Sequence, residues 1–300
     1  MWSERLDVLA GEYGSVLREI DAFFARQRAS WPLLRDNELL LSTVQQRRIG
    51  PIVAQLNPGR RASVNADIHP SAVAARPCFL CEHNLPAQQR ALAWQDGLVI
   101  LCNPYPALAR HLCICSREHE PQRLAGREEQ LFYLARALGE DMFVFYNGPA
   151  SGASAPDHFH FQAASNELLL KFPTSRFARI DGRAVVMCDS PEQLSLAMAA
   201  WASLRASPQE PEPPVNVLCS ARQGRPRAAL FPRARHRPSR YFASEADRIA
   251  VSPASLEMAG ILILAEAEHL ERLDQRSVTQ IYTEVCIDDH DFSRLQELLQ

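Results

Sequence analysis

Asp157-His158-Phe159-His160-Phe161-Gln162 decides how this chain is read. Alternate residues of a strand share a face, so His158, His160 and Gln162 point one way while Phe159 and Phe161 turn the other way into a core. A strand is therefore expected over 158–163. The loop in front of it, Asn147 to Asp157, carries Gly148-Pro149-Ala150-Ser151-Gly152-Ala153-Ser154. Its small residues allow close backbone approach, and its serines supply hydroxyl donors. A lone histidine on such a strand reads as a satisfied core residue. Two imidazoles and an amide on one face, beside this loop, read as chemistry.

Outward from that strand, the pattern alternates strands and helices. Strands are expected at 98–102, 111–115 and 142–146, with a helix over 121–139 that begins at a proline. Upstream, 1–30 has the apolar spacing of an amphipathic helix that Trp31-Pro32 ends. Residues 36–48 read as a second short helix or a helix–strand junction, and 52–56 as a strand before the turn Asn57-Pro58-Gly59. Downstream, 191–206 reads as a helix, 207–214 as a Pro/Glu-rich linker, 215–219 and 228–232 as strands, and 253–272 as a helix. This mixture implies an α+β class. Three segments are expected: 1–60, a helical and strand segment packing on the core; 61–206, holding the histidine strand; and 215–300.

A neutral imidazole can attack an α-phosphorus and form a covalent phosphoramidate. Its other ring nitrogen must be held by a hydrogen bond to fix the tautomer. Amide and hydroxyl donors then stabilise charge on the phosphoryl oxygens.

The block 76–163 resembles the histidine-triad superfamily, in the branch of galactose-1-phosphate uridylyltransferase, diadenosine tetraphosphate phosphorylase and GDP-galactose phosphorylase. In that branch the triad reads His-x-His-x-Gln, as His158-x-His160-x-Gln162 does here. The resemblance implies an antiparallel histidine-triad-like sheet with helices, in two halves, the second (215–300) degenerate and without a nucleophile. It makes His160 the nucleophile and Gln162 the residue that binds its phosphoryl oxygen. Asn103, which follows a strand and precedes Pro104, matches an Asn near the nucleoside; Asn147 and Ser154 match loop positions that contact the phosphates, with Ser151 and Gly152 in the same loop. One departure is Asp157, an extra residue between Pro156 and His158. The implied function is nucleotidyl transfer through a covalent nucleotidyl-histidine. The donor would be a nucleoside diphosphate sugar or a dinucleoside polyphosphate, and the acceptor phosphate or a sugar 1-phosphate. A nucleotide hydrolase, or a nucleotide-binding regulatory module without turnover, are the alternatives. Gln162 speaks against the first, since hydrolase branches carry His there.

Cys78-x-x-Cys81 is a two-ligand metal knuckle that also suits redox chemistry. The resemblance completes it as a structural Zn²⁺ site of Cys78, Cys81, His119 and His158, with His83 and His111 as competing ligands. Mg²⁺ is expected to accompany a polyphosphate. Arg60, in the turn after Asn57, is a candidate phosphate contact, although an Asn-Pro-Gly turn is more often only a turn.

The stretch 222–240 gathers Arg222, Arg225, Arg227, Arg233, Arg235, His236, Arg237 and Arg240. It reads either as forks for phosphates or as a solvated Arg/Pro loop. Pro226, Pro232 and Pro238 exclude a helical DNA-reading face. The net charge of −3 argues against nucleic acid and anionic membranes. No apolar run is long enough for a membrane span, and no apolar leader follows Met1. A cytoplasmic protein is expected, with reduced cysteines, and a homodimer by family habit. Cys102, Cys113 and Cys115 read as buried small hydrophobes.

Overall fold

The computed structural model describes residues 2–8, 16–95, 97–166, 172–205 and 212–300. Its strands are β1 (Leu6–Val8), β2 (Gln45–Ile49), β3 (Ile52–Leu56), β4 (Ala91–Ala93), β5 (Leu98–Cys102), β6 (Leu112–Ser116), β7 (Met142–Asn147), β8 (His160–Ser165), β9 (Phe177–Ile180), β10 (Arg183–Cys188), β11 (Val215–Arg222), β12 (Arg225–Pro232) and β13 (Ile261–Leu264). The helices are α1 (Val16–Ser30), α2 (Pro32–Leu41), α3 (Arg61–Val64), α4 (Pro70–Ala74), α5 (Glu128–Leu138), α6 (Pro191–Arg205), α7 (Ser255–Met258), α8 (Ala267–Arg272), α9 (Gln275–Val285) and α10 (Asp289–Leu298). The class is α+β, as the sequence implied.

Ten strands form one sheet in the order β1-β4-β5-β6-β8-β7-β11-β12-β10-β9, antiparallel except where β1 meets β4. β7 and β11 join the N-terminal and C-terminal parts through the register Asn216↔Asn147 to Ser220↔Phe143. A second sheet, β13-β3-β2, pairs chain positions about two hundred residues apart.

The period of two sorts the core. Phe159, Phe161, Val144 and Tyr146 face a layer formed by Ile20 and Phe23 of α1, Leu131 and Leu134 of α5, and Trp201 of α6. Burying each such phenylalanine contributes about 1.5–3 kcal/mol. Phe143, Phe145 and Ala164 face the other way, onto β3, β13 and α9. The second sheet covers only part of that face. Over β5, β6 and the start of β8, the face carrying His160 and Gln162 lines a cavity.

Several expectations need correction. The N-terminal helix begins at Val16, and Leu6–Val8 instead adds a strand beside β4; 9–15 lie outside the described residues. The helix expected from 121 begins at Glu128, because Gln122 spends its side chain on the histidine strand. β8 starts at His160 rather than 158. The helix expected over 253–272 is α7, β13 and α8. Periodicity cannot separate a short buried strand from a helix, and Gly260 at φ 95° breaks the run so that Ile261–Leu264 can pair with β3. Of the expected linker, 207–211 lie outside the described residues; Glu212 beyond them is buried and takes hydrogen bonds from Tyr146 Oη and from the Leu124 amide (2.7 Å).

Candidate active site

β8 and β7 pair only as far as Gln162↔Phe145, where the histidine loop pulls them apart. Continued, the register would set His160 opposite Asn147. Gln122 fills the gap. Its Oε1 accepts from the His160 amide at 2.8 Å, and its Nε2 donates to the carbonyls of His160 (3.0 Å) and Asn147 (2.9 Å). One buried side chain thus stands in for the missing strand and clamps the backbone of the nucleophile candidate.

The His160 ring is buried, and its Nδ1 lies 2.9 Å from the His158 carbonyl. A carbonyl only accepts, so Nδ1 carries the proton and Nε2 keeps its lone pair. Burial pushes the ring down to about 4, with the His158 bond opposing, so the imidazole is neutral at pH 7. It lines a cavity of about 530 Å³, a size suited to a nucleotide.

Gln162 lines the same cavity. His111 fixes which end of its amide faces in. The Ala107 amide donates to His111 Nδ1 at 3.0 Å, so Nε2 bears the proton and donates to Gln162 Oε1 at 2.9 Å. The Gln162 NH₂ is therefore the end left for the cavity. Burial, with Arg60 nearby, holds His111 down at about 3 and keeps the ring neutral, while the Ala107 amide sets its tautomer. His111 is thus a partner of Gln162, not a metal ligand.

Asn103, Asn147, Gly152, Ser154 and Arg60 also line this cavity. Gly152 has φ 100°, and a Cβ there would sit 2.6 Å from that of Ala254, so the loop passes where only glycine fits. The Ser154 carbonyl accepts from Arg76, whose guanidinium also pairs with Asp157 at 2.8 Å. The extra residue of the motif is thus absorbed by an ion pair. Arg60 binds the Tyr105 carbonyl and Ser63 Oγ, both at 2.8 Å, and keeps its place on the wall. Ser151 is fully buried and off the cavity wall; its carbonyl accepts from Asn216 at 2.8 Å.

Behind the histidine strand, one donor atom each from Cys78, Cys81, His119 and His158 lie within 4.8 Å of one another. Cys78 Sγ is 3.3 Å from His158 Nδ1, and Cys81 Sγ 3.2 Å from His119 Nδ1. His158 Nε2 donates to the Ser116 carbonyl at 2.9 Å, which leaves its Nδ1 lone pair for a metal. Two thiols and two imidazoles gathered this closely can hold a metal ion. His83 is not among the four. Cys113 is half-buried and lines the cavity, Cys102 is buried on the same wall, and Cys115 is a core residue.

Most of the arginine stretch is structural. Arg227 binds Asp189 and the carbonyls of Pro173 and Thr174. Arg233 is fully buried with every N–H donor on oxygen. Arg237 ties Ser252 to the carbonyls of Val64 and Ala66 at the cavity wall. Sequence reasoning missed Gln122, Asn216, Ser255 and the buried Glu257 on the cavity wall. They sit in separate segments, with no spacing that announces them.

Residues 23–165 match the family model described as Domain of unknown function (DUF4922), and 182–300 match GDPGP1-like, C-terminal domain. No curated protein sequence matches. Yeast Ap4A phosphorylase Apa2 has the same fold: it is 18% identical, with 81% of this chain and 86% of that one covered at a TM-score of 0.52. Apa2 in complex with Ap4A is 15% identical, covers 88% and 97%, and has a TM-score of 0.58. With AMP bound the figures are 16%, 88%, 96% and 0.53. The two family matches and the shared fold divide the chain between them: residues 182–300 match the GDPGP1-like C-terminal domain, and the chain as a whole has the fold of the yeast Ap4A phosphorylase, with the His-x-His-x-Gln strand in its large sheet.

Proposed function

We propose that the protein is a nucleotidyltransferase of the phosphorylase type, working through a nucleotidyl-His160 intermediate. The observation that carries this is the single tautomer of His160, with Nδ1–H bound to His158 and Nε2 free on a cavity shared with Gln162 and Asn147. His160 Nε2 attacks the α-phosphorus of a nucleoside diphosphate sugar or dinucleoside polyphosphate. The bond from phosphorus to the bridging oxygen breaks, and the distal phosphate leaves with the electron pair. Phosphate or a sugar 1-phosphate then attacks the same phosphorus and breaks the P–N bond, returning neutral His160.

The Gln162 NH₂ would donate to a non-bridging oxygen as charge grows there. Asn147 and Ser154 would hold the remaining phosphoryl oxygens, and Arg60 the distal group. Asn103 would meet the nucleoside. A divalent Mg²⁺ would travel with a polyphosphate donor. The four-residue cluster fits zinc by its donor set; bound there, the ion braces the start of the histidine strand and takes no part in group transfer.

The test is intact mass after mixing phosphate-free protein with a pool of nucleoside diphosphate sugars and dinucleoside polyphosphates. A gain of one nucleoside monophosphate, absent in His160→Ala, is expected and names the base. Wild type without an adduct, yet binding nucleotide, would sink the transfer reading.

A further inference from the structure

Asn216 lies on β11 directly across from Asn147 on β7. Its buried amide has every polar hydrogen and its oxygen engaged. Nδ2 donates to Asn147 Oδ1 at 3.0 Å and to the Ser151 carbonyl at 2.8 Å. Oδ1 accepts from Arg233 Nη1. That contact forbids a flip, because a guanidinium only donates and a reversed amide would present NH₂ to it. Arg233 is itself immobile. Its other donors go to the carbonyls of Val285 (3.0 Å), Pro253 (3.0 Å), Arg235 (3.0 Å) and His236 (3.1 Å).

The consequence reaches the cavity. Asn147 Oδ1 accepts twice, from Asn216 and from the Ser255 amide at 2.8 Å. Both donors are fixed, so its amide cannot turn, and its NH₂ is the end that remains for the cavity it lines. The Ser151 contact meanwhile pins the middle of the small-residue loop.

We propose that Asn216, locked by Arg233, is a positioning residue that aims the Asn147 NH₂ at the bound nucleotide's phosphoryl group. Resting on the transfer reading above, this gives the C-terminal part of the chain a direct share in the site although it supplies no nucleophile. Asn147 then acts as a donor of fixed polarity, and the polarity is written in β11 and in the residue that follows β12.

Asn216→Asp is the sharpest probe. It is isosteric and keeps the oxygen that Arg233 binds, so the fold is retained. It also sets a carboxylate oxygen against Asn147 Oδ1 and the Ser151 carbonyl, which favours the reversed Asn147 amide. Asn216→Ala, which deletes both bonds, is the second variant. Each is combined with Asn147→Ala, and the rate of nucleotidyl-enzyme formation is measured with the donor that labels wild type, beside the melting temperature. Loss of an aimed donor to a charged group should slow adduct formation about tenfold or more in each single variant. With Asn147→Ala already present, either Asn216 change should add no more than about twofold. Full multiplication of the two losses, or wild-type rates in Asn216→Asp, would overturn the proposal. If no donor labels wild type, the transfer reading fails on its own. The same cycle run on the dissociation constants of AMP, GMP, CMP and UMP then decides this inference by the same criterion.

Discussion

His158 orients His160 from behind: its main-chain oxygen holds His160 Nδ1 at 2.9 Å while its own Nδ1 faces the thiol of Cys78 at 3.3 Å. One residue therefore belongs to the Cys/His cluster by its side chain and holds the His160 ring by its backbone. The strand needs both histidines for different reasons.

Removing the nucleophile should be drastic. His160→Ala removes the imidazole whose Nε2 is free on the cavity and whose tautomer the His158 carbonyl fixes. Transfer is expected to fall by about a thousandfold or more, with nucleotide binding retained, as measured by turnover beside calorimetric titration. Turnover near the wild-type value would refute the covalent route whatever the fold.

Gln162 should show a milder, purely kinetic defect. Gln162→Ala removes a donor that counts when charge develops on phosphorus, for a loss of about a hundredfold in kcat. His111→Leu should share that loss, because an amide without its His111 partner presents either end. His111→Gln, which restores a donor near the old Nε2, should recover part of it. Equal kcat in His111→Leu and wild type would show that Gln162 needs no such guide.

The cluster should bind one metal ion and steady the chain. Elemental analysis is expected to give about one zinc per chain, with Cys78 and Cys81 protected from a thiol reagent until a chelator is added. Cys78→Ser should lose the metal and lower the melting temperature. Metal-free protein with unchanged melting and full transfer would remove the ion from the account.

Much of this site was legible because a strand writes its faces in alternation. His160 and Gln162 declared their shared side, and Phe159 and Phe161 the core, before any coordinates; His158 was expected on the same face, yet it precedes the strand and its ring turns to the Cys78 thiol. The cluster was readable once family spacing tied Cys78 and Cys81 to His119 and His158. Residues that act across elements left no such trace. Gln122 stood inside what looked like the first turn of a helix, and Asn216 looked like one polar residue in an apolar strand. Arg233 read as part of a basic stretch, whereas its fork is spent on carbonyls inside the protein. Ser151 illustrates the reverse: its type and loop suggested a ligand, yet its side chain is buried off the cavity wall.

Arg233 itself should be a stability residue. Arg233→Met fills much of the volume but leaves Asn216 Oδ1 and several buried carbonyls without donors. Leaving buried acceptors without a donor costs about 1–3 kcal/mol, read as the shift of a urea midpoint at unchanged slope. A loss below about 1 kcal/mol would mean that water replaces the fork.

Stability should also depend on pH in two opposed ways. Burial holds His111 and His236 down at about 3, against about 6.5 in an unfolded chain. Between those values the unfolded chain carries protons that the folded one does not, so stability falls as pH drops below 6.5. Glu212 works in reverse. Burial raises it from 4.5 to about 7, so the folded chain keeps a proton that the unfolded one releases, and stability falls as pH rises from 4.5 through 7. Melting curves can separate the two. His236→Gln, which keeps a partner for Ser252 Oγ, should shrink the drop between pH 6.5 and pH 4.5, while Glu212→Gln should shrink the drop between pH 6 and pH 8. If His236→Gln leaves the acid limb unchanged, the His236 ring is protonated in the folded protein and its burial beside Arg233 and Arg237 is misjudged.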